Sequence, residues 1–371
     1  MTDLFISVVI IARNEERTIR ECISAGIASL ENAIETGRAV GGEVIFVDSA
    51  STDSTLDLAK KFPITILQLR QDWPLSAAAG RHMGLQHSNG DLVLFIDGDT
   101  IVEPSWLPEA VDLISQPGIA AVCGTIREIQ QGNSMLSREI QKYTLGSMPV
   151  ATVGEVEVAS IGLYWKHVLQ SVAGFHPFLK GAEDLDLGFR INLRGLKILQ
   201  TRRSMGRHRW SSDARDVRFI DYFKSVAWWS FGSGQACRYR FRDRHIRQKY
   251  LKRYITSRFA SEYFRGLVLG CFLLLQPALL SLHSPWPFVL LTIDFGFLGI
   301  VDFVRRRARR TWGEALFSLH RIAYALIRNA TFVAGFLTRL PAPEDYPRSV
   351  RQIQPGIALR RSASLEERSL R

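Results

Sequence analysis

The chain has 371 residues and a formal charge of +11, a figure that hides a split. Residues 1–199 hold 16 Lys/Arg against 24 Asp/Glu, whereas residues 200–371 hold 31 against 12. An acidic half followed by a basic, apolar half predicts one catalytic-size domain with an appendage. The four cysteines (Cys22, Cys123, Cys237, Cys271) have no CxxC spacing, which excludes a zinc ribbon or a disulfide framework.

The opening stretch "MTDLFISVVIIARNEE" has no basic n-region and meets charge soon after its apolar run. It reads as a first core strand rather than a secretion signal, which leaves the acidic half in the cytosol. Further strands are expected at Glu43–Val47, Ile64–Leu69, Leu92–Ile96 and Ile119–Thr125, after the first at Phe5–Ile11. These runs are β-branched and nearly continuous in hydrophobicity, which suits parallel strands covered on both faces. Between them lie helical stretches near Glu15–Ser29, Ser54–Phe62, Pro74–Ser88 and Pro104–Ser115. This is βαβ logic, and ligands of such sheets gather at the carboxyl ends of the strands, where Asp48 and Asp97 stand. The first strand is followed by "IIARNEERTI", without a glycine, so a Rossmann dinucleotide site is not expected, and the P-loop pattern is also missing.

The strand "LVLFIDGDT" ends in two carboxylates, Asp97 and Asp99, split by Gly98. Residues two apart on a strand point the same way, and two hard oxygen ligands suit Mg²⁺ or Mn²⁺ bound together with substrate phosphates. Two other readings stay open from these residues alone. One is a plain turn with a helix cap. The other is a phosphatase of haloacid-dehalogenase type, against which Thr100 stands one position too early.

Further along, "GAEDLDLGFRINLRG" reads as a helix opening with acids, on which Asp186 and Arg190 fall one turn apart. Nine Lys/Arg lie between Arg238 and Arg258, interleaved with aromatics. Apolar runs at 266–282 and 287–304 follow, each near the minimum length for crossing a bilayer, with basic flanks at the outer ends. The run near Ile322–Leu337, carrying Arg328, is amphipathic and expected to lie on a surface. Anionic lipid headgroups, not nucleic acid, are the expected partner of the basic stretch.

Five short motifs in order resemble glycosyltransferase family 2, the inverting enzymes of GT-A fold, over roughly residues 5–210. They are a strand into "ARNEE", "VIFVDSASTDST", "AAAGRHMGL", "GDLVLFIDGDT" and "GAEDLDLGFRI". His82 replaces the family's asparagine and Ser49 its glycine, and the QxxRW element of processive synthases is absent.

The resemblance implies an α/β fold: a GT-A, Rossmann-like domain with a mostly parallel sheet, plus C-terminal membrane-associated helices. It implies that Ala12, Arg13, Asn14, Glu15, Asp48, Arg81, Asp97, Gly98 and Glu183 bind a UDP- or GDP-sugar. Arg81 would face the diphosphate, Asp97 and Asp99 would hold Mg²⁺ or Mn²⁺, and Asp184 would be the general base. His208 is a further candidate for the diphosphate or metal. The domains expected are 1–212 catalytic, 213–262 basic and interfacial, 263–340 membrane-associated and 341–371 a disordered tail. The function implied is transfer of a sugar to a lipid-linked or glycan acceptor at the cytosolic face of the inner membrane. A non-catalytic membrane scaffold is the remaining alternative.

Overall fold

The structure, a computed structural model, describes residues 3–129, 154–156, 159, 161–209, 219–249 and 312–360. They form two units, residues up to 209 together with 340–360, and residues 219–249 together with 312–339.

The first unit is α/β. Its chain runs β1 (Phe5–Ala12), α1 (Ile19–Glu35), β2 (Gly41–Asp48), α2 (Thr55–Ala59), β3 (Thr65–Gln68), α3 (Ala77–His87), β4 (Leu92–Asp97), β5 (Thr100–Val102) and α4 (Trp106–Ile114). Then come β6 (Ile119–Ile129), β7 (Gly154–Val156), β8 (Gly162–Trp165), α5 (Lys166–Ser171), α6 (Glu183–Leu193) and β9 (Lys197–Arg209). Late in the chain β10 (Arg351–Gln354) and β11 (Leu359–Arg360) return to the same sheet. The strand order is β10-β3-β2-β1-β4-β8-β6-β9-β5, with β11 on β2 and β7 on β9.

The central strands β3, β2, β1 and β4 are parallel, as their unbroken apolar runs predict. Alternate residues go to opposite cores. Val8, Ile10, Phe46 and Leu94 pack on one face, and Val9, Ile11, Val47 and Phe95 on the other. The sheet is less uniform beyond β4. An antiparallel strand, β8, sits between β4 and β6. Helix α3 lies close on β1, because a Cβ on Gly84 would come within 2.2 Å of Val9.

The tail is a correction. Residues 341–360 are not structureless: β10 pairs antiparallel with β3, and β11 with β2. Tyr346 anchors the segment, 2 % exposed, with its hydroxyl donating to the Pro74 carbonyl (3.0 Å). Its ring meets Trp73, His82 and Phe178 edge-on. A polar edge strand gains its order from the ladder and from one buried aromatic, so hydropathy does not reveal it.

The second unit contains α7 (Phe219–Tyr239) and α8 (Trp312–Leu337). They cross at Gly234 and Gly335, where an added Cβ would collide with the facing backbone. Arg328 is 4 % exposed and packs beside Trp229 and Tyr324. Among the described residues no helix is long and apolar enough to cross a membrane. The runs 266–282 and 287–304, and the basic stretch beyond residue 249, lie outside the described residues.

Candidate active site

Strand register sets the site. Ala12 lies opposite Asp48, Ile11 opposite Asp97 and Asp48 opposite Gln68, so the carboxylates line up along one edge of the parallel sheet. Two loops close over that edge. The Asn14 N–H donates to Ser51 Oγ (3.0 Å), Thr52 N–H to Asn14 Oδ1 (2.8 Å) and Glu15 N–H to Thr55 Oγ1 (2.7 Å). Asp53 accepts from the Thr55 N–H (3.0 Å) as an Asx-type cap. Asn14 and Ala50 take φ values of 59° and 57°, a left-handed conformation that costs a β-carbon-bearing residue energy. Asp48 is fully buried and accepts from the Ser51 N–H (3.2 Å) and from Gln68 Nε2 (3.1 Å). It therefore organises this corner from beneath.

The second corner is crowded with charge. Gly98 packs flat against β1, where a Cβ would stand 2.5 Å from Ala12 Cβ, and its carbonyl accepts from Thr18 Oγ1 (2.9 Å). Beyond it, Asp99 Oδ2 lies 2.7 Å from His208 Nε2, which β9 delivers by pairing His208 with Thr100 of β5. Glu15 closes the group. Burial first, and the neighbouring Asp99 charge second, push its carboxyl up to about 7.

Arg81 is not an open cation. It is 2 % exposed, with one terminal nitrogen on Asp97 Oδ1 (2.6 Å) and the other on Glu183 Oε1 (2.5 Å). Phe175 flanks the guanidinium at 5.7 Å. Burial opposes its charge, but Asp97 and Glu183 outweigh that and hold its pKa above the ordinary value. Burial also raises Asp97 and Glu183, against the pull of Arg81. The expected cation facing the diphosphate is thus a buried bridge between two carboxylates. On α3, Arg81 directly follows the buried small residues Ala78, Ala79 and Gly80.

Helix α6 starts after Ala182, which is left-handed (φ 58°), and presents three acids in its first turn. Each has a different task. Asp186 binds Arg190 (2.9 Å), as their spacing predicts, and Arg190 also donates to the Val172 and Gly174 carbonyls. Glu183 holds Arg81. Asp184 is only part-buried and accepts from its own helix at the Leu185 N–H (2.7 Å), which leaves it as the least committed of the three.

Sequence reasoning missed several residues here. Tyr164, buried behind the site, donates to the Ala159 carbonyl. Lys180, in the loop before α6, donates to the Leu75 carbonyl (3.3 Å), and Ser76 Oγ ties to the Pro177 carbonyl (3.1 Å) in the same loop pair. Only a contact across more than a hundred residues links them.

Asp99 and His208 are the donors that fit a divalent cation. A carboxylate and an imidazole leave the remaining positions to phosphate and water, the usual arrangement for Mg²⁺ or Mn²⁺ with a nucleotide. Among the described residues no group of three His, Cys, Asp or Glu converges as a complete metal cage.

Several known proteins resemble this chain. Residues 7–169 match the model of glycosyl transferase family 2. Glycosyltransferase AglE of Haloferax volcanii is 25% identical over 185 residues, 49% of this chain and 59% of AglE. The O-antigen biosynthesis protein RfbC of Myxococcus xanthus is 26% identical over 208 residues, 50% of this chain but 16% of RfbC. The chain thus matches only part of each of these relatives. A mannosyltransferase of Pyrobaculum calidifontis, solved with GDP-Man and Mn2+, superposes with a TM-score of 0.56, covering 90% of this chain and 88% of its own at 16% identity. That likeness shows a shared GT-A-type fold. Residues 7–169 thus carry a glycosyl transferase family 2 domain.

Proposed function

We propose that the protein transfers a sugar, with inversion, from a nucleotide-diphosphate sugar to a hydroxyl or phosphate of a membrane-linked acceptor. What carries this reading is the division of labour among carboxylates on one strand edge. Asp48 is committed to the loop turn, Asp97 and Glu183 to Arg81, and Asp99 to His208, so Asp184 alone among them binds no other side chain in the bonds described above.

The nucleoside lies over the joined loops at Ala12–Glu15 and Asp48–Thr55, whose hydrogen bonds hold the pocket wall in place before the donor arrives. Arg81 fixes Asp97 and Glu183 in position, and Gly98 lets the donor approach the strand end closely. Asp99 and His208 would hold a Mg²⁺ or Mn²⁺ ion, with the imidazole tilting the pair towards Mn²⁺. Such an ion, when bound, neutralises charge on the departing diphosphate. Asp184 takes the proton from the acceptor hydroxyl as that oxygen attacks the anomeric carbon. The bond to the diphosphate breaks on the opposite face. The apolar and basic sequence after residue 238 supports an acceptor carried in an anionic membrane at the cytosolic face.

The test is transfer from UDP- and GDP-sugars to the sugar hydroxyl of a polyprenyl-linked glycan acceptor by the full chain with Mn²⁺. Asp184→Asn should lower turnover by about 10²–10⁴-fold, the usual share of a general base, with donor binding unchanged. Full turnover in that variant removes Asp184 from the base position.

A further inference from the structure

Asp184 reaches its place on an irregular loop. Helix α5 ends at Ser171 and α6 begins at Glu183, and residues 172–182 between them join no strand or helix. Where that loop enters α6, Ala182 is left-handed (φ 58°), a conformation that a residue with a β-carbon keeps only when its surroundings hold it there. The direction of the Asp184 side chain therefore depends on what holds residues 172–182.

Side chains of α3 and α6 hold the start of the loop. His82 Nδ1 lies 3.2 Å from the Phe175 carbonyl, and Arg190 donates to the carbonyls of Val172 and Gly174. The middle is tied to residues 69–76, the link between β3 and α3. There the Ser76 hydroxyl donates to the Pro177 carbonyl (3.1 Å) and Lys180 Nζ to the Leu75 carbonyl (3.3 Å). Residues 69–76 are irregular as well, so these two loops brace each other without a rigid anchor in either.

Tyr346 supplies the anchor. Its ring centroid is 5.4 Å from Phe178 in one loop, 5.8 Å from Trp73 in the other and 5.9 Å from His82 on α3, each contact edge-on. Its hydroxyl donates to the Pro74 carbonyl (3.0 Å). One buried side chain thus touches both loops and the helix that carries Arg81. The residues that follow are fixed in turn, since β10 pairs with β3 from Arg351 opposite Gln68. Edge-on aromatic contacts are directional, so the ring sets where Phe178 stands and does not merely cover it.

We propose that Tyr346 is a positioning residue for the transfer: from the late return of the chain it fixes the loop 172–182 and, through it, aims the Asp184 carboxylate at the acceptor oxygen. The inference rests on the reading of Asp184 as the base of the nucleotide-sugar transfer proposed above. It gives the C-terminal return a part in the reaction as well as in the sheet.

Transfer by the full chain with Mn²⁺, from UDP- and GDP-sugars to a polyprenyl-linked glycan, tests it beside calorimetry with UDP and GDP. Tyr346→Ala should lower kcat on the order of 10²-fold, the cost of a reacting group displaced by about 1 Å, with UDP or GDP binding within about twofold of wild type. Tyr346→Phe keeps the ring and should retain kcat within about threefold. In an Asp184→Asn background, Tyr346→Ala should cost less than about threefold more, because the group it aims is gone. Phe178→Leu keeps apolar bulk but removes the ring contact from the loop side, and should lower kcat in the same way even where Tyr346→Ala fails to fold. Wild-type kcat in Phe178→Leu or in a folded Tyr346→Ala overturns the proposal. So does a matching loss of UDP and GDP binding, or a fully additive loss with Asp184→Asn, either of which marks a general structural role. Wild type that transfers no sugar overturns the donor reading itself, and full turnover by Asp184→Asn overturns the choice of base; the positioning role falls with either.

Discussion

The two corners of the cleft grow from the same strand ends yet handle charge in opposite ways. At the β1–β2 corner, Asp48 is fully buried and both its oxygens are satisfied by Ser51 and Gln68, while Asn14, Thr52 and Thr55 join the loops. At the β4–β9 corner, Glu15, Asp97 and Glu183 are all pushed up, first by burial and then by a neighbouring carboxylate: Asp99 for both Glu15 and Asp97, and Asp184 for Glu183. One corner is finished before any ligand arrives. The other holds an electrostatic debt that Arg81 settles inside the protein, with a metal ion as the proposed cation of the complex.

Breaking the charged corner should have the largest effect. Arg81→Met removes the cation between two buried carboxylates and should cost about 3–5 kcal/mol, read as a lower urea midpoint at pH 7.5. A loss under about 1 kcal/mol would show that Asp97 and Glu183 do not depend on it.

The next effect is in pH. The Glu15 carboxyl is raised from 4.5 to about 7 in the folded state, so the native protein binds the proton more tightly than the unfolded chain. Stability from this group is present below about 4.5 and is lost as pH rises to about 7. Glu15→Gln should therefore gain on wild type between pH 5 and pH 8, by at most about 3 kcal/mol. A constant difference across that range would contradict the assignment. The finished corner should respond least. Ala50→Gly relieves the left-handed strain but gains chain entropy when unfolded, a net stabilisation of about 0.5 kcal/mol by thermal melting.

Much of this was legible in the sequence, for physical reasons that also explain what was not. The strands around Ile10, Phe46 and Leu94 are buried on both faces, so their composition alone marks them. The DxD turn, Asp48 and the acidic start of α6 are adjacent-residue patterns and were found as such. The antiparallel place of β8 depends on contacts with β4 and β6, which no local pattern encodes. The edge strand "RQIQ" carries no hydrophobic signal, since half of it faces solvent. Arg81 was recognised, but its partners Asp97 and Glu183 lie 16 and 102 residues away, and only the fold shows that both of its terminal nitrogens are occupied. Lys180 had no local motif at all.

The most direct measurement is nucleoside diphosphate binding to the full chain by calorimetry at pH 7.5, with and without Mn²⁺, for wild type and Asp99→Asn. The two-corner account predicts binding by wild type that weakens at least about tenfold without the metal, with Asp99→Asn weak in both conditions. Binding that is equally tight without Mn²⁺, or unchanged in Asp99→Asn, would contradict it.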